Sequence, residues 1–248
     1  MLPESGDGVV PNARPAFCTT RWSVVLLAAE RTTPESVQAL ESLCQLYWYP
    51  LYAFVRREGR GPEEAKDSIQ EFFARFLAAD SIQTAHPDKG RFRSFLLASM
   101  KNFLAKEWRD ANRLKRGGGK EIIHWDQMEV EERYKLEPAD AAPDALFDRR
   151  WAQTLVTNVL ARLQEEMGRE RLGERFAALK IFLQGDSTAS SYADTGTKLG
   201  LSESAVKSAI HRLRRRYAEL IREEISQTVA APAEVAEEIR HLIRMLAA

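Results

Sequence analysis

The sequence contains few residues of the kinds that build disulfide frameworks or metal sites. Its 248 residues include two cysteines, Cys18 and Cys44, and four histidines, none of them in a Cys-x-x-Cys or His-Glu-x-x-His arrangement. Zinc sites and disulfide-stapled domains depend on such clusters. We therefore expect a reduced protein that carries no disulfide, no metal and no cofactor.

Long apolar runs and common enzyme motifs are missing as well. The longest apolar run, residues 24–29, is far shorter than the about 20 residues that span a bilayer. Residues 1–16 lack the basic start of a signal peptide and are rich in Pro and Gly, which predicts a disordered N-terminus. These features favour a cytoplasmic protein without membrane contact. Phosphate-loop, Gly-x-Ser-x-Gly and Gly-x-Gly-x-x-Gly patterns are absent, so we expect no enzymatic activity.

Strand signals are weak, whereas helical periodicity is strong. Apolar residues recur at spacings of three and four in segments that begin near residues 34, 62, 90 and 146. The pattern breaks at Gly117-Gly118-Gly119, and an acidic, poorly periodic stretch follows. The sequence thus predicts an all-α fold of two small helical domains, residues 17–116 and 146–226, joined by an acidic linker over 117–145.

A final segment, residues 227–248, is predicted to form an amphipathic helix. Its apolar stripe consists of Val235, Ile239, Leu242, Ile243 and Leu246. Such a stripe has to be buried against another surface. The cover is either another part of the same chain or a separate protein partner, and the sequence leaves both open.

Charge is distributed unevenly along this chain. The formal net charge is zero, yet residues 89–120 hold ten basic and two acidic residues, whereas residues 121–148 hold nine acidic and two basic ones. The first segment therefore has a net charge of +8 and the second a net charge of −7. Two such segments behave differently from a surface on which the charges are evenly mixed. Overall neutrality therefore does not exclude a nucleic-acid partner.

The basic segment predicts a helix with one cationic face, which we call the basic stripe. It combines cations that neutralise phosphates, Asn side chains that read base edges, and an aromatic ring that stacks on unpaired bases. Its core residues recur at steps of four and three: Asn102, Lys106, Arg109, Arg113 and Arg116, with Trp108 and Asn112 at the margin. The alternative is an ordinary solvated helix face.

Residues 192–212 have the pattern of a helix–turn–helix. Gly196 is small where two helices would cross, Gly200 suits a left-handed turn residue, and Ser202 suits a helix N-cap. The second helix presents an outer face suited to the DNA major groove. That face comprises Lys207, Ser208, His211, Arg212 and Arg215. A plain helical hairpin with solubilising cations is the alternative.

These motifs together resemble a bacterial RNA polymerase sigma factor of the extracytoplasmic-function (ECF) type. Residues 43–52 look like the opening of sigma region 2, and Asp67-Ser68-Ile69-Gln70-Glu71-Phe72-Phe73 is similar to that family's Asp-x-x-Gln-Glu-x-Phe segment. Residues 90–116 resemble the part that melts and reads the −10 promoter element. Residues 192–216 resemble the region 4 helix–turn–helix that reads the −35 element.

The resemblance implies a non-enzymatic subunit whose partners are core RNA polymerase and promoter DNA. It implies that Asp67, Gln70 and Glu71 contact polymerase. It further implies that the −10 strand meets Asn102, Lys106, Trp108, Arg109, Asn112 and Arg113. The −35 duplex would meet Lys207, Ser208, His211, Arg212 and Arg215.

The chain also departs from the family pattern. Asp194-Thr195-Gly196 stands where the family usually has an acidic residue, Ile or Leu, and Ala, so Thr195 is a poorer core residue. The acidic linker and the helix after Pro232 are extra, and an anti-sigma factor or sensory protein is a further expected partner. The linker either threads toward the polymerase cleft or folds over the basic stripe. The alternative function is a helix–turn–helix regulator that binds operator DNA as a dimer and never joins polymerase.

Overall fold

A computed structural model describes residues 22–30, 33–78, 82–111, 127–170, 172–183 and 191–247, and this part of the chain is helical and contains no strand. The predicted all-α class is confirmed. The α-helices are α1 (Trp22–Glu30), α2 (Pro34–Arg57), α3 (Pro62–Ala78), α4 (Phe92–Ala111), α5 (Gln127–Lys135), α6 (Pro143–Arg169), α7 (Gly173–Leu179), α8 (Tyr192–Leu199), α9 (Glu203–Ser226) and α10 (Val235–Ala247). Short 3₁₀ turns occupy Ile82–Thr84, Pro87–Lys89, Lys180–Leu183 and Pro232–Glu234.

Helix α2 is the centre of the N-terminal half. Thr33 and Ser36 cap its start reciprocally, each side chain accepting from the other's backbone N–H at 3.1–3.2 Å, and Pro34 occupies the first turn. Every residue from Leu46 to Val55 is buried, because α1, α3 and α6 all pack against α2. A helix that is apolar all round is suited to such an enclosed position.

Helices α3 and α4 meet through the apolar stripes that their periodicity predicts. Buried residues on α3 and α4 belong to one cluster with α2, and include Ala65, Ile69, Phe72, Phe76, Phe92, Leu96 and Met100. The Phe72 ring lies 5.7 Å from the Phe103 ring, and Phe76 lies 6.0 Å from Phe95. Burying these stripes leaves the polar faces of both helices outward.

Helix α6 connects the two halves of the molecule. Near its start, Phe147 stacks 6.3 Å from Tyr47 of α2, whereas α9 packs along α6 and Arg162 of α6 pairs with Glu223 and Glu224 of α9. The boundary predicted at residue 146 thus falls inside a helix that contacts both halves. The division into domains 17–116, 117–145, 146–226 and 227–248 stays a prediction.

The C-terminal helix α10 forms as the sequence predicts and packs against α6 and α9. Of the predicted stripe, Val235 and Leu242 are buried, and Ile243 is 59 % exposed. Ile239 and Leu246 are partly buried and pack against the core. Most of the predicted apolar stripe is therefore covered by the same chain.

Candidate nucleic-acid interface

The polar face of α3 carries the three residues that the family resemblance assigns to polymerase binding. Asp67 is exposed, Gln70 and Glu71 are partly exposed, and Ile69 and Phe72 point into the core. Glu71 accepts from Arg75 Nε at 2.6 Å, an i,i+4 pair that the sequence reasoning missed. We call Asp67, Gln70 and Glu71 the carboxylate face; it presents acidic and amide groups together on one side of a rigid helix.

The described part of the basic stripe lies on the outward side of α4. Asn102, Lys106 and Arg109 are exposed, and Trp108 is 68 % exposed. An indole exposed to this extent offers an apolar face to a flat partner. Asn112 and Arg113, as well as Arg116, lie outside the described residues. The structure therefore brings together four of the six residues predicted to meet the −10 strand.

Residues beside the basic stripe hold α4 to its neighbours. Glu107 accepts from Arg60 at 3.1 Å, which ties α4 to the α2–α3 turn. Lys101 pairs with Asp144 at the start of α6, with 2.6 Å between the amine and the carboxylate. Glu107 and Lys101 both belong to the basic segment, residues 89–120, and each forms an ion pair with a neighbouring element. Neither is therefore part of the basic stripe.

The turn between α8 and α9 has the geometry that its glycines indicate. Gly200 has φ +63°, and the Leu201 N–H donates to the Gly196 carbonyl at 2.8 Å. A Cβ at Gly196 would stand 2.6 Å from the Leu201 carbonyl oxygen, closer than real contacts allow. The left-handed Gly200, the close approach at Gly196 and the Ser202 N-cap, which accepts from the Ala205 N–H at 3.3 Å, are all confirmed. Thr195, 2 % exposed, fills a core position as a polar residue.

Helix α9 presents its predicted outer face to solvent. Val206, Ala209, Ile210 and Leu213 are buried on its other side. All five residues predicted to face DNA are exposed: Lys207, Ser208, His211, Arg212 and Arg215. The Lys207 amine lies 2.6 Å from Glu203, which raises the pKa of that amine through a hydrogen bond. Arg215 approaches Glu219 at 3.6 Å, so two of the four basic residues have partners on the same helix.

Other arginines of α9 contact neighbouring helices and turns through their guanidinium groups. Arg214 Nη2 donates to the Phe182 carbonyl at 2.8 Å, and Arg216 pairs with Glu166 at 3.0 Å. Hydrogen bonding to Glu166 raises the pKa of Arg216 above its ordinary value. The Tyr217 hydroxyl donates to the Val156 carbonyl at 3.3 Å, and burial raises its pKa to about 12. The sequence could not separate these positioning cations from the outward ones.

The described part of the acidic segment is anchored on α2. Glu131 of α5 accepts from Arg56 at 2.7 Å and from the Tyr52 hydroxyl at 2.6 Å. Six residues later, Glu137 accepts from the Tyr49 hydroxyl at 2.6 Å and pairs with Arg150. Burial and these hydrogen bonds raise the pKa of both tyrosines.

The described residues offer no reactive thiol, no metal-binding cluster and no membrane-spanning helix. Cys44 is half-buried, and burial raises the pKa of its thiol to about 12, so the reactive thiolate is suppressed. No group of three His, Cys, Asp or Glu side chains in the described ranges stands close enough to hold a metal ion. None of the helices described is both long and apolar enough to cross a bilayer.

Comparison with known proteins gives a match to a family model. Residues 46–114 match the family model of Sigma-70 region 2. No curated protein and no solved structure matches the chain. The matched span runs from the buried part of α2 through α3 and α4, and contains the carboxylate face and Asn102 to Arg113. The match covers 69 of the 248 residues, and helices α8 and α9 lie beyond it.

Proposed function

We propose that the chain is an ECF-type sigma factor that binds core RNA polymerase and directs it to promoters. The observation that carries the proposal is the outward face of α4, where an Asn, two cations and a largely exposed Trp occur inside the span that matches Sigma-70 region 2. Cations and an exposed aromatic ring suit a single DNA strand, whose phosphates and unstacked bases are both accessible.

In this proposal, α3 makes the polymerase contact. Its carboxylate face stands on a helix that is fixed from behind by the aromatic core, so Asp67, Gln70 and Glu71 are presented without a large loss of conformational freedom on binding. Acidic groups of this kind complement a basic or amide-rich surface on the enzyme.

The −10 element is held by α4. Capturing a base outside the stack costs a few kcal/mol. Stacking on Trp108 supplies about 1–3 kcal/mol per base, and Lys106 and Arg109 add salt-dependent phosphate contacts. Opening of the promoter is therefore supported by binding energy alone, without a chemical step.

The −35 element is read by α8 and α9 acting as a helix–turn–helix. The support is the tight turn at Gly196 and Gly200, together with the exposed Ser208, His211 and Arg212 near the start of α9. Side chains at the start of such a helix are the ones that reach base edges in the major groove.

The same turn favours the second candidate, a regulator that binds operator DNA as a dimer. Such a regulator needs two copies of α9 at palindromic half-sites, whereas a sigma factor needs one chain and two unlike elements. The mass of the chain on DNA, measured by light scattering, separates these candidates.

Retention by core RNA polymerase is the direct test of the proposal. Immobilised wild-type chain is expected to retain core enzyme and to support run-off transcription with it. The Asp67→Ala/Glu71→Ala variant is expected to bind core at least about tenfold more weakly, which is 1.4 kcal/mol. The control is Glu41→Ala/Glu170→Ala, which changes the net charge equally at exposed acids away from α3. If wild type retains no core enzyme, or if both variants bind equally, the proposal is wrong.

A further inference from the structure

An apolar groove lies between α6, α9 and α10. Its volume is about 450 Å³, within the range of about 300–1,000 Å³ that is usual for small-molecule sites. Aliphatic side chains that are not fully buried form most of its walls. They include Val156 and Leu160 of α6, Ile221 of α9, and Ile239, Ile243 and Leu246 of α10. The three helices thus leave a concave apolar surface that solvent reaches.

The groove contains the part of the apolar stripe of α10 that the rest of the chain leaves uncovered. Four of the five stripe residues line it, namely Ile239, Leu242, Ile243 and Leu246, and Ile243 is 59 % exposed. Removing apolar surface from water is favourable. A ligand with an apolar body would therefore complete the burial of α10 against α6 and α9.

The polar groups of the groove are few. The Tyr217 hydroxyl donates to the Val156 carbonyl at 3.3 Å, so its proton is already engaged within the protein. Thr157 and Arg222 are exposed where they line the groove. Among the described residues that line it, none is acidic. The interior of the groove therefore suits a hydrocarbon, and a polar group of the ligand belongs at the edge.

Arg222 gives that edge a positive charge. Arg215 and Arg216 of the same helix pair with glutamates, whereas Arg222 forms no ion pair within the described part of the chain. Arg240 of α10 is exposed one turn before Ile243, which adds a second cation near the groove. A guanidinium without a protein partner beside an apolar groove favours a ligand with an anionic group.

The extent of the groove favours a small ligand over a protein segment. Twelve described residues line it, whereas a standard protein interface uses about 20–30 residues a side. Along α10 it runs from Ile239 to Leu246, two helical turns or about 10 Å. That length suits an alkyl chain of medium length.

We propose that the groove binds an aliphatic carboxylate, with its alkyl chain between α6, α9 and α10 and its carboxylate on Arg222. This site is independent of the sigma-factor proposal. It lies outside residues 46–114, and none of its lining residues belongs to the carboxylate face, the basic stripe or the five residues of α9 predicted to face DNA. Because the ligand contacts three helices only when they are packed together, it stabilises the folded chain.

The first test titrates the full chain with decanoate by isothermal calorimetry. Saturable binding of one decanoate per chain is expected, with a negative change in heat capacity as apolar surface is buried. Affinity should rise about fourfold for each methylene added between octanoate and decanoate. Decanoate should also raise the unfolding temperature. Absence of saturable binding to wild type would overturn the proposal.

The second test places the site, by comparing Ile243→Asp with Val37→Asp. Val37 is a matched control because it is an aliphatic residue of similar exposure, 51 %, on α2. Ile243→Asp puts a charge into the groove and is expected to bind decanoate at least about tenfold more weakly, whereas Val37→Asp should bind as wild type does. Equal affinities in the two variants would mean that decanoate binds elsewhere.

A filling substitution provides the same test if Ile243→Asp does not fold. Ala218 lines the groove and is exposed, so Ala218→Phe places a ring in the space that the ligand needs. It should weaken decanoate binding to the same degree, and Ala177→Phe at an exposed position of α7 should not. Equal binding by these two variants would also overturn the site.

The third test concerns the anionic group and uses decanoate beside uncharged decanol. Arg222→Gln is expected to weaken decanoate binding about threefold to fivefold, as for an exposed ion pair, and to leave decanol binding unchanged. Arg169→Gln, at an exposed position near the end of α6, is the control. Equal decanoate binding by both variants would refute the role of Arg222. If wild type binds no decanoate and instead self-associates through Ile243 in light scattering, the groove is an interface between two copies and the ligand proposal is wrong.

Discussion

At Gly196 the missing side chain allows α8 to approach the turn that leads into α9. Because a Cβ there would meet a backbone carbonyl at 2.6 Å, Gly196→Ala has to move one helix relative to the other. We expect a loss of about 1–3 kcal/mol in the free energy of unfolding, as for other overpacked sites, measured by urea denaturation. Binding of duplex DNA through α9 should weaken in parallel, since the angle of α9 depends on this contact.

Gly168→Ala is the control for that substitution. Gly168 lies in the last turn of α6 and has open space around its Cα, so its replacement by Ala should not destabilise the protein and should raise the free energy of unfolding by up to about 1 kcal/mol. If Gly196→Ala were as well tolerated as Gly168→Ala, the close approach between α8 and the turn would not exist in solution.

Residues whose roles are local could be identified from the sequence, and those with distant partners could not. Gly196, Gly200 and Ser202 act on neighbours within a few positions, where turn and capping chemistry determine the residue type. Glu131, Glu137 and Glu238 each contact a residue that is at least 75 positions away. Nothing in their sequence neighbourhood separates them from solvated acids, so the sequence could place them only in charged segments.

At the scale of helices, long periodic segments were predictable and short docked ones were not. Helices α2, α3, α4, α9 and α10 have clear apolar stripes, and each forms close to where the stripe indicates. Helices α1 and α5 were missed. Each has nine residues, which is too short for a stable isolated helix in water, and α5 lies in the acidic stretch that indicated a linker. Both depend on packing against α2.

The docking of α5 on α2 predicts a specific loss on replacing Glu131. Glu131→Gln removes the ion pair to Arg56 from a site where both side chains are only about one-fifth exposed. We expect the free energy of unfolding to fall by about 1 kcal/mol at neutral pH. Glu132→Gln is the control, since Glu132 pairs with Lys135 on the exposed side of the same helix; solvent screens this pair, so its loss should leave the free energy of unfolding nearly unchanged.

The pH dependence of that loss has a defined sign. The hydrogen bond from Arg56 lowers the pKa of Glu131 in the folded protein below its ordinary value of 4.5. A carboxylate with a lowered folded pKa stabilises the fold above its unfolded pKa, and this contribution is lost as the pH falls through the folded pKa. The free energies of unfolding of wild type and Glu131→Gln should therefore differ at pH 7 and converge only once the pH has fallen below the lowered folded pKa of Glu131. A difference that persisted in acid would mean that the ion pair is not its source.

Across the whole molecule, the zero net charge is the sum of surfaces with different roles. Acids of the segment after the glycine run pair with α2, α4 and α6 through Glu131, Asp144 and Glu137, and Glu238 covers Arg91 and Arg93. What remains outward on α4 is cationic and aromatic. The uneven distribution was visible in the sequence, but its pairing could be assigned only once the helices were placed.

Because the carboxylate face and the basic stripe lie on different helices, the functions proposed for them should be separable in one molecule. Lys106→Ala/Arg109→Ala removes two exposed cations from α4 and leaves α3 unchanged. If both contact phosphates of a single strand, each contributes about 0.7 to the slope of log affinity against log salt. The slope measured by titrating a bubble-containing DNA at several salt concentrations should therefore fall in magnitude by about 1.4.

The control for the stripe is Arg169→Ala/Lys180→Ala, an equal charge change at exposed residues far along the chain, which should leave the slope unaltered.

The stripe variant should still be retained by core polymerase as wild type is, whereas Asp67→Ala/Glu71→Ala should lose polymerase and keep its salt slope. Loss of both activities in either variant would mean that the two faces form a single surface. Equal salt slopes in the stripe and control variants would mean that α4 does not hold the DNA strand. If each variant loses one activity and retains the other, the subunit has one face for the enzyme and another for the DNA.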